Sequence, residues 1–183
     1  RSFGLSLDQL KKDKGYGEPL NLMIGTGNVA SIVSLLPYYH ERKGLIFSKK
    51  GLGFTVAFPS LRSSTKTGKQ IFELSEDDEV VGLQEIEGDN VIVLSTSFKM
   101  LIFSIKEVPI LKKGKGVRLQ RYKEETLLDI MIFSQNEKSD FIIKKLFSKN
   151  EDIRHWTGKR GHVGKMMPKK NLRKKMTKFE DLL

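Results

Sequence analysis

The chain has 183 residues, 38% of them hydrophobic, with eleven Phe, one Trp and no Cys. That is enough apolar content to fill a core, and it excludes disulfides, thiolate catalysis and cysteine-based zinc sites. Lys and Arg number 33 against 22 Asp and Glu, a formal net charge of +11, which favours nucleic acid or an anionic surface as partner.

The excess is uneven: residues 144–183 hold 13 basic and 4 acidic residues. No apolar run reaches the ~18–20 residues of a membrane span, and the first residues carry no signal-peptide pattern. The chain begins at Arg1 in a strand-like alternation, Ser2-Phe3-Gly4-Leu5-Ser6-Leu7. Residues 1–10 read as the last strand of a β unit whose beginning lies upstream.

A basic turn follows, Lys14-Gly15-Tyr16-Gly17, and then four predicted strands. They fall at 19–24, 29–36, 44–47 and 53–58, and the last ends at Pro59, where a missing N–H stops a ladder. The same phrase then repeats. Lys66-Thr67-Gly68-Lys69 precedes strands predicted at 70–74, 80–86, 90–94 and 99–105, closed by Pro109. Lys113-Gly114-Lys115-Gly116 precedes 117–120, 127–133 and 140–143, and a fourth turn stands at Gly158-Lys159-Arg160-Gly161. Period-two alternation and β-branched, aromatic composition argue strand over helix throughout.

The reference glycines Gly17, Gly68, Gly116 and Gly161 lie 51, 48 and 45 residues apart, in the ~40–50-residue range of propeller-like blades. The fold expected is all-β: a propeller-like array of four-stranded antiparallel blades, about three to four in number, over residues 1–166, with the first blade truncated. Residues 167–183 form a separate basic tail, as a mobile arm or a short surface helix.

A cationic turn at the same corner of every blade makes a positive rim suited to a polyanion. The candidate phosphate contacts are Lys11, Lys12, Lys14, Arg62, Lys66, Lys69, Lys112, Lys113, Lys115, Arg118, Lys159, Arg160 and Lys165. Glycines at such corners let backbone and ligand approach closely. The competing reading is an ordinary exposed turn kept for geometry and solubility. Repetition in register favours the first, with unequal contributions, since the turns around Tyr16 and Thr67 are less basic than Lys112 to Lys115.

Other features carry blander readings. Gly25-Thr26-Gly27-Asn28-Val29-Ala30 imitates part of a dinucleotide fingerprint but lacks the strand-helix-strand context, and a hairpin turn accounts for both glycines. His40, His155 and His162 are too scattered for a metal set, though His162 lies inside the fourth turn as a further phosphate candidate. Glu76-Asp77-Asp78-Glu79 lacks calcium-loop spacing and reads as a solvated loop. Trp156 lies against a nucleic acid or, more in keeping with a lone Trp at a blade edge, packs into a core. No metal site is expected.

The stretches Lys14-Gly15-Tyr16-Gly17-Glu18-Pro19-Leu20, Gly51-Leu52-Gly53-Phe54, Thr67-Gly68-Lys69, Leu111-Lys112-Lys113-Gly114-Lys115-Gly116 and Thr157-Gly158-Lys159-Arg160-Gly161 resemble, in order and spacing, a known family. It is the C-terminal DNA-binding domain of the A-type subunits of bacterial type IIA topoisomerases, topoisomerase IV (ParC) more than gyrase. The resemblance implies a β-pinwheel with duplex DNA bent along its outer edge, bound without sequence specificity and presented for ATP-dependent strand passage, that is, decatenation and relaxation of supercoils. The glutamine-, arginine- and glycine-rich box of gyrase is absent from this sequence. The resemblance further implies that catalysis lies elsewhere: the active-site tyrosine would stand upstream, and none of Tyr16, Tyr38, Tyr39 and Tyr122 matches its motif. It implies no cofactor for this domain, with ATP and Mg serving the parent enzyme through upstream domains and the partner ATPase chain. The parent protein would be a homodimer paired with the B-type ATPase subunit of topoisomerase IV, cytoplasmic at the nucleoid. A propeller-like scaffold for an acidic protein or an anionic membrane stands as the alternative, peripheral membrane association included.

Overall fold

The computed structural model describes residues 1–5, 19–25, 31–63, 65, 67–134, 146–147, 152–168 and 178–179. Strands β1 (Lys43–Ser48) and β2 (Leu52–Ala57) form a hairpin, β3 (Val80–Glu85) pairs with β1, and the two-residue β6 (Val117–Arg118) pairs with β2. The second sheet repeats the plan with β4 (Asn90–Ser95), β5 (Lys99–Ser104), β7 (Leu127–Phe133) and β8 (Lys165–Met166). The orders are β3-β1-β2-β6 and β7-β4-β5-β8, antiparallel throughout. Strands starting at 43, 52, 80 and 117 recur at 90, 99, 127 and 165, a repeat of 47 or 48 residues.

The fourth strand of the first sheet arrives late. After β3 the chain builds the β4–β5 hairpin of the next sheet, and only then returns to lay β6 against β2. The two blades are thereby interlocked.

β1 and β4 are apolar without alternation, Gly-Leu-Ile-Phe and Val-Ile-Val-Leu, because each is covered on both faces. Leu45 and Phe47 of the first sheet share a core with Val91, Val93, Leu101 and Phe103 of the second. The opposite faces look outward to separate clusters. Ile46, Phe54 and Val56 pack with Ile71 and Phe72, while Ile92, Leu94, Met100 and Ile102 pack with Leu146, Phe147, Trp156, Met167 and Phe179. The order is therefore cluster, sheet, shared core, sheet, cluster.

The hairpins are closed by matching serines. The β1–β3 and β4–β7 ladders both shift register, between Phe47 and Ser48 and between Leu94 and Ser95. The buried Ser48 and Ser95 hydroxyls then accept from the amides of Leu52 and Lys99, at 3.2 and 3.1 Å. At the turn, Phe98 (φ 59) holds the left-handed conformation that Gly51 (φ 77) holds in the first hairpin. For a side chain this costs about 1–2 kcal/mol, and packing of the half-buried ring against the outer cluster offsets it.

Several expectations need correction. Residues 19–24 are not a strand: α1 (Leu20–Met23) is one helical turn, with Pro19 fixing its entry and accepting from Leu22 and Met23, and Gly25 at φ 67 ending it. Of 70–74, only Phe72 makes a bridge, to Gly114. Residues 31–36 have no regular structure and are exposed. The strand expected at 140–143 and most of the tail lie outside the described residues. The predicted strands at 44–47, 53–58, 80–86, 90–94, 99–105 and 127–133 are all found, with small shifts at their ends. After β2 the chain turns through α2 (Phe58–Leu61), which contains Pro59. Ser2 exchanges both backbone bonds with Lys69, at 2.8 and 2.9 Å, much as Gly53 faces Val117.

Candidate nucleic-acid interface

The glycines of the two later basic corners are required by backbone approach. Gly116 has φ 71, and a Cβ there would lie 2.7 Å from the Gly53 carbonyl oxygen; Gly164 has φ 82, and its Cβ would lie 2.6 Å from that of Met100. Gly53 and Met100 are equivalent in the two β2-type strands. The fourth corner is therefore in register on Gly164, three residues after the Gly161 that spacing suggested. Gly161 instead corresponds to Gly114, each donating its amide to the segment beside it.

Those amide bonds link the corners in series. Gly114 N donates to Ile71 O (3.1 Å) and Glu73 N to Gly114 O (2.9 Å), so the corner at 112–116 grips the segment just after the corner at 67–69. One repeat later Gly161 N donates to Leu119 O (2.8 Å) and Arg121 N to His162 O (3.0 Å), gripping the segment just after 112–116. Each corner is the neighbour of the one before it.

The candidate cations divide by what they touch. Arg62, Lys112, Lys115, Arg118, Lys159 and Lys165 are exposed, and none has an ion-pair or hydrogen-bond partner for its side-chain charge among the described residues. Lys69 Nζ donates to Ser60 O at 2.7 Å. Lys113 is paired with Glu73 at 2.9 Å. Arg160 is half-buried and turned to the protein: its Nε donates to Glu107 O (2.8 Å), its Nη1 to Arg118 O (2.5 Å), and its backbone amide to Glu107 Oε2 (2.9 Å). Lys11, Lys12, Lys14 and Lys66 lie outside the described residues.

The acidic loop is occupied as well. Glu79 pairs with Lys49 at 2.8 Å and Asp77 with Lys50, while Asp78 accepts from the Lys50 amide. The hydrogen bond from Lys50 holds Asp77 below the usual carboxylate range, and that to Glu79 raises the Lys49 ammonium. Trp156 is a core residue, 6% exposed, with its indole N–H donating to Met166 O at 2.8 Å. That bond ties β8 to the corner beside it.

Sequence reasoning passed over Arg121, which is exposed and lines an open groove with His155, His162 and Lys165. Its place at the junction depends on the bond between its amide and His162, which no local pattern announces. The 48-residue spacing from Glu73 is the one available signal.

Interlocked four-stranded sheets at a 47-residue repeat define a β-propeller-type repeat domain of pinwheel build. The family profile described as "DNA gyrase C-terminal domain, beta-propeller" matches residues 45–87 and 89–134, one match for the first three strands of each sheet. The chain belongs to that DNA gyrase C-terminal domain family, on its topoisomerase IV side. It is 35% identical over 168 residues to the A-type subunit of DNA topoisomerase 4 from Rickettsia conorii and 32% identical over 171 residues to that from Caulobacter vibrioides, in both cases over 92% of this chain. It spans 23% and 22% of those proteins, under a quarter of their length. In fold it is similar to the E. coli ParC C-terminal domain, with a TM-score of 0.75 at 23% identity, covering 92% of this chain and 73% of that one.

Proposed function

We propose that the chain binds duplex DNA along the series of basic corners, without sequence preference, and bends it. In a parent topoisomerase IV the bound segment would be presented to the ATP-dependent strand-passage machinery. The carrying observation is the pairing of order with freedom: the corners at 112–116 and 159–164 follow one another through backbone bonds, and Lys112, Lys115, Arg118, Lys159 and Lys165 project from them without internal partners among the described residues. Cations held so meet phosphates, which fix register on the duplex and carry no base identity.

In the same reading the parent protein is a homodimer that works with the B-type ATPase subunit of topoisomerase IV, at the nucleoid of the cytoplasm. ATP and Mg act there, outside this domain, and so does the catalytic tyrosine. Anisotropy of labelled duplexes titrated across salt concentrations tests the binding. Affinity should fall steeply with salt and differ little between sequences; a flat salt dependence would remove the proposal. Replacing the tail cations Lys169, Lys170, Arg173, Lys174 and Lys175 with Ala, which keeps Met167 and Phe179 in the outer cluster, should leave most of the affinity, whereas a tail-driven contact with an acidic protein or a membrane would lose it.

A further inference from the structure

The two junctions between described corners are built on the same backbone plan and differ in the charges set into it. Ile102 bridges Thr157 as Thr55 bridges Ile110, Gly161 is bonded to Leu119 as Gly114 is to Ile71, and Arg121 is bonded to the later corner as Glu73 is to the earlier one. Position by position, the second junction therefore has Arg121 where the first has Glu73, His155 where it has Val108, and Lys165 where it has Val117.

The space differs too. In the first junction Phe54 and Phe72 meet edge-to-face at 5.0 Å. In the second, Leu101 and Gln120 stand at those positions, and Gln120 is drawn inward by bonds to Lys99 O (3.1 Å) and Val163 O (2.7 Å). An open groove of about 420 Å³ lies here, with Arg121, His155, His162 and Lys165 in its lining and no carboxylate among the described residues that line it. At the first junction, meanwhile, Glu73 takes up the charge of Lys113.

We infer that this groove is where the chain grips the phosphate backbone of duplex DNA most strongly, and that Glu73 makes the preceding junction a weak point on the same path. The inference rests on the duplex-binding reading and adds a direction to it: affinity is concentrated at the later corner. Phosphodiester oxygens fit a groove offering one guanidinium, one ammonium and two imidazole rings. Removal of one internal carboxylate at the earlier junction frees an existing ammonium as well as deleting a negative charge.

The test is a charge exchange in the 183-residue chain, read by duplex anisotropy across a salt series. Arg121→Glu should weaken binding on the order of tenfold at low salt and lower the salt slope by about one to two counterions, more than Lys112→Glu does. Glu73→Arg should strengthen binding several-fold and steepen the slope. Arg121→Gln and Glu73→Gln serve as milder versions, and equal melting temperatures guard against misfolding in any of the five variants. Equal losses from Arg121→Glu and Lys112→Glu, or no gain from Glu73→Arg and Glu73→Gln, would overturn the groove while leaving salt-dependent binding by the unaltered chain intact. Absence of duplex binding by the unaltered chain would take both readings down.

Discussion

Lys159 and Arg160 are adjacent cations with different work. Arg160 spends its guanidinium on the carbonyls of Glu107 and Arg118, joining a corner to the turn after β5 and to β6, whereas Lys159 has no side-chain partner among the described residues. Arg160→Ala should therefore lower stability by about 1 kcal/mol, the net worth of hydrogen bonds whose carbonyl acceptors water can reach. Lys159→Ala should leave the melting temperature unchanged and reduce the salt slope of duplex binding by about one. Thermal melts and salt titrations on both variants separate the two roles. Glu125 offers a second check. Its carboxylate accepts from Lys99 Nζ (2.5 Å), the Lys123 amide (2.8 Å) and Ser97 Oγ (3.1 Å), and the Lys99 bond chiefly holds it at about 2 against 4.5 for a free carboxyl. A folded value below the unfolded one means that its contribution is complete above about 4.5 and is lost as the pH falls through that window toward about 2. Glu125→Gln should lower the melting temperature at neutral pH and flatten its fall over the same acid range.

At the scale of elements, the central hairpins were legible because Gly44-Leu45-Ile46-Phe47 and Asn90-Val91-Ile92-Val93-Leu94 are too apolar for anything but a strand buried on both faces. The edges were not. β6 and β8 are two residues long, and their extent is set by the reach of β2 and β5 rather than by their own propensity. Pro19-Leu20-Asn21-Leu22-Met23-Ile24 alternates like a strand, yet the proline and Gly25 confine it to a single helical turn. Of the candidate cations, composition found the corners and could not tell Lys113 and Arg160, held by Glu73, Glu107 and Arg118, from Lys112 and Lys159. Trp156 shows what a buried side chain adds to an edge. Trp156→Phe keeps an aromatic ring against Phe147, 4.8 Å away, but leaves the Met166 carbonyl without its donor. A loss of about 1 kcal/mol in denaturant melts is expected, with the weakest hydrogen-exchange protection appearing at Lys165 and Met166.

At the scale of the whole molecule, the two described sheets are joined in a way that an ordinary stack of repeats lacks. In a solenoid each repeat touches its neighbours through an interface and cooperativity is graded. Here the sheets also exchange backbone: β6 hydrogen-bonds to β2 of the earlier sheet while its own chain neighbours serve the later one. Calorimetry should accordingly show a single transition with matching calorimetric and van't Hoff enthalpies, and two resolved steps would contradict it. The late return of that strand also sets an order of events during synthesis. A ribosome that has delivered residues 43–57 has made the hairpin of the first sheet, but its closing strand, residues 117–118, emerges only after the second hairpin at 90–104. Until residues 109–111 and then residues 117–118 arrive, the outer edge of β2 is bare, so a nascent chain that ends between residues 104 and 109 should be the form most open to proteases and to pairing with a sister chain.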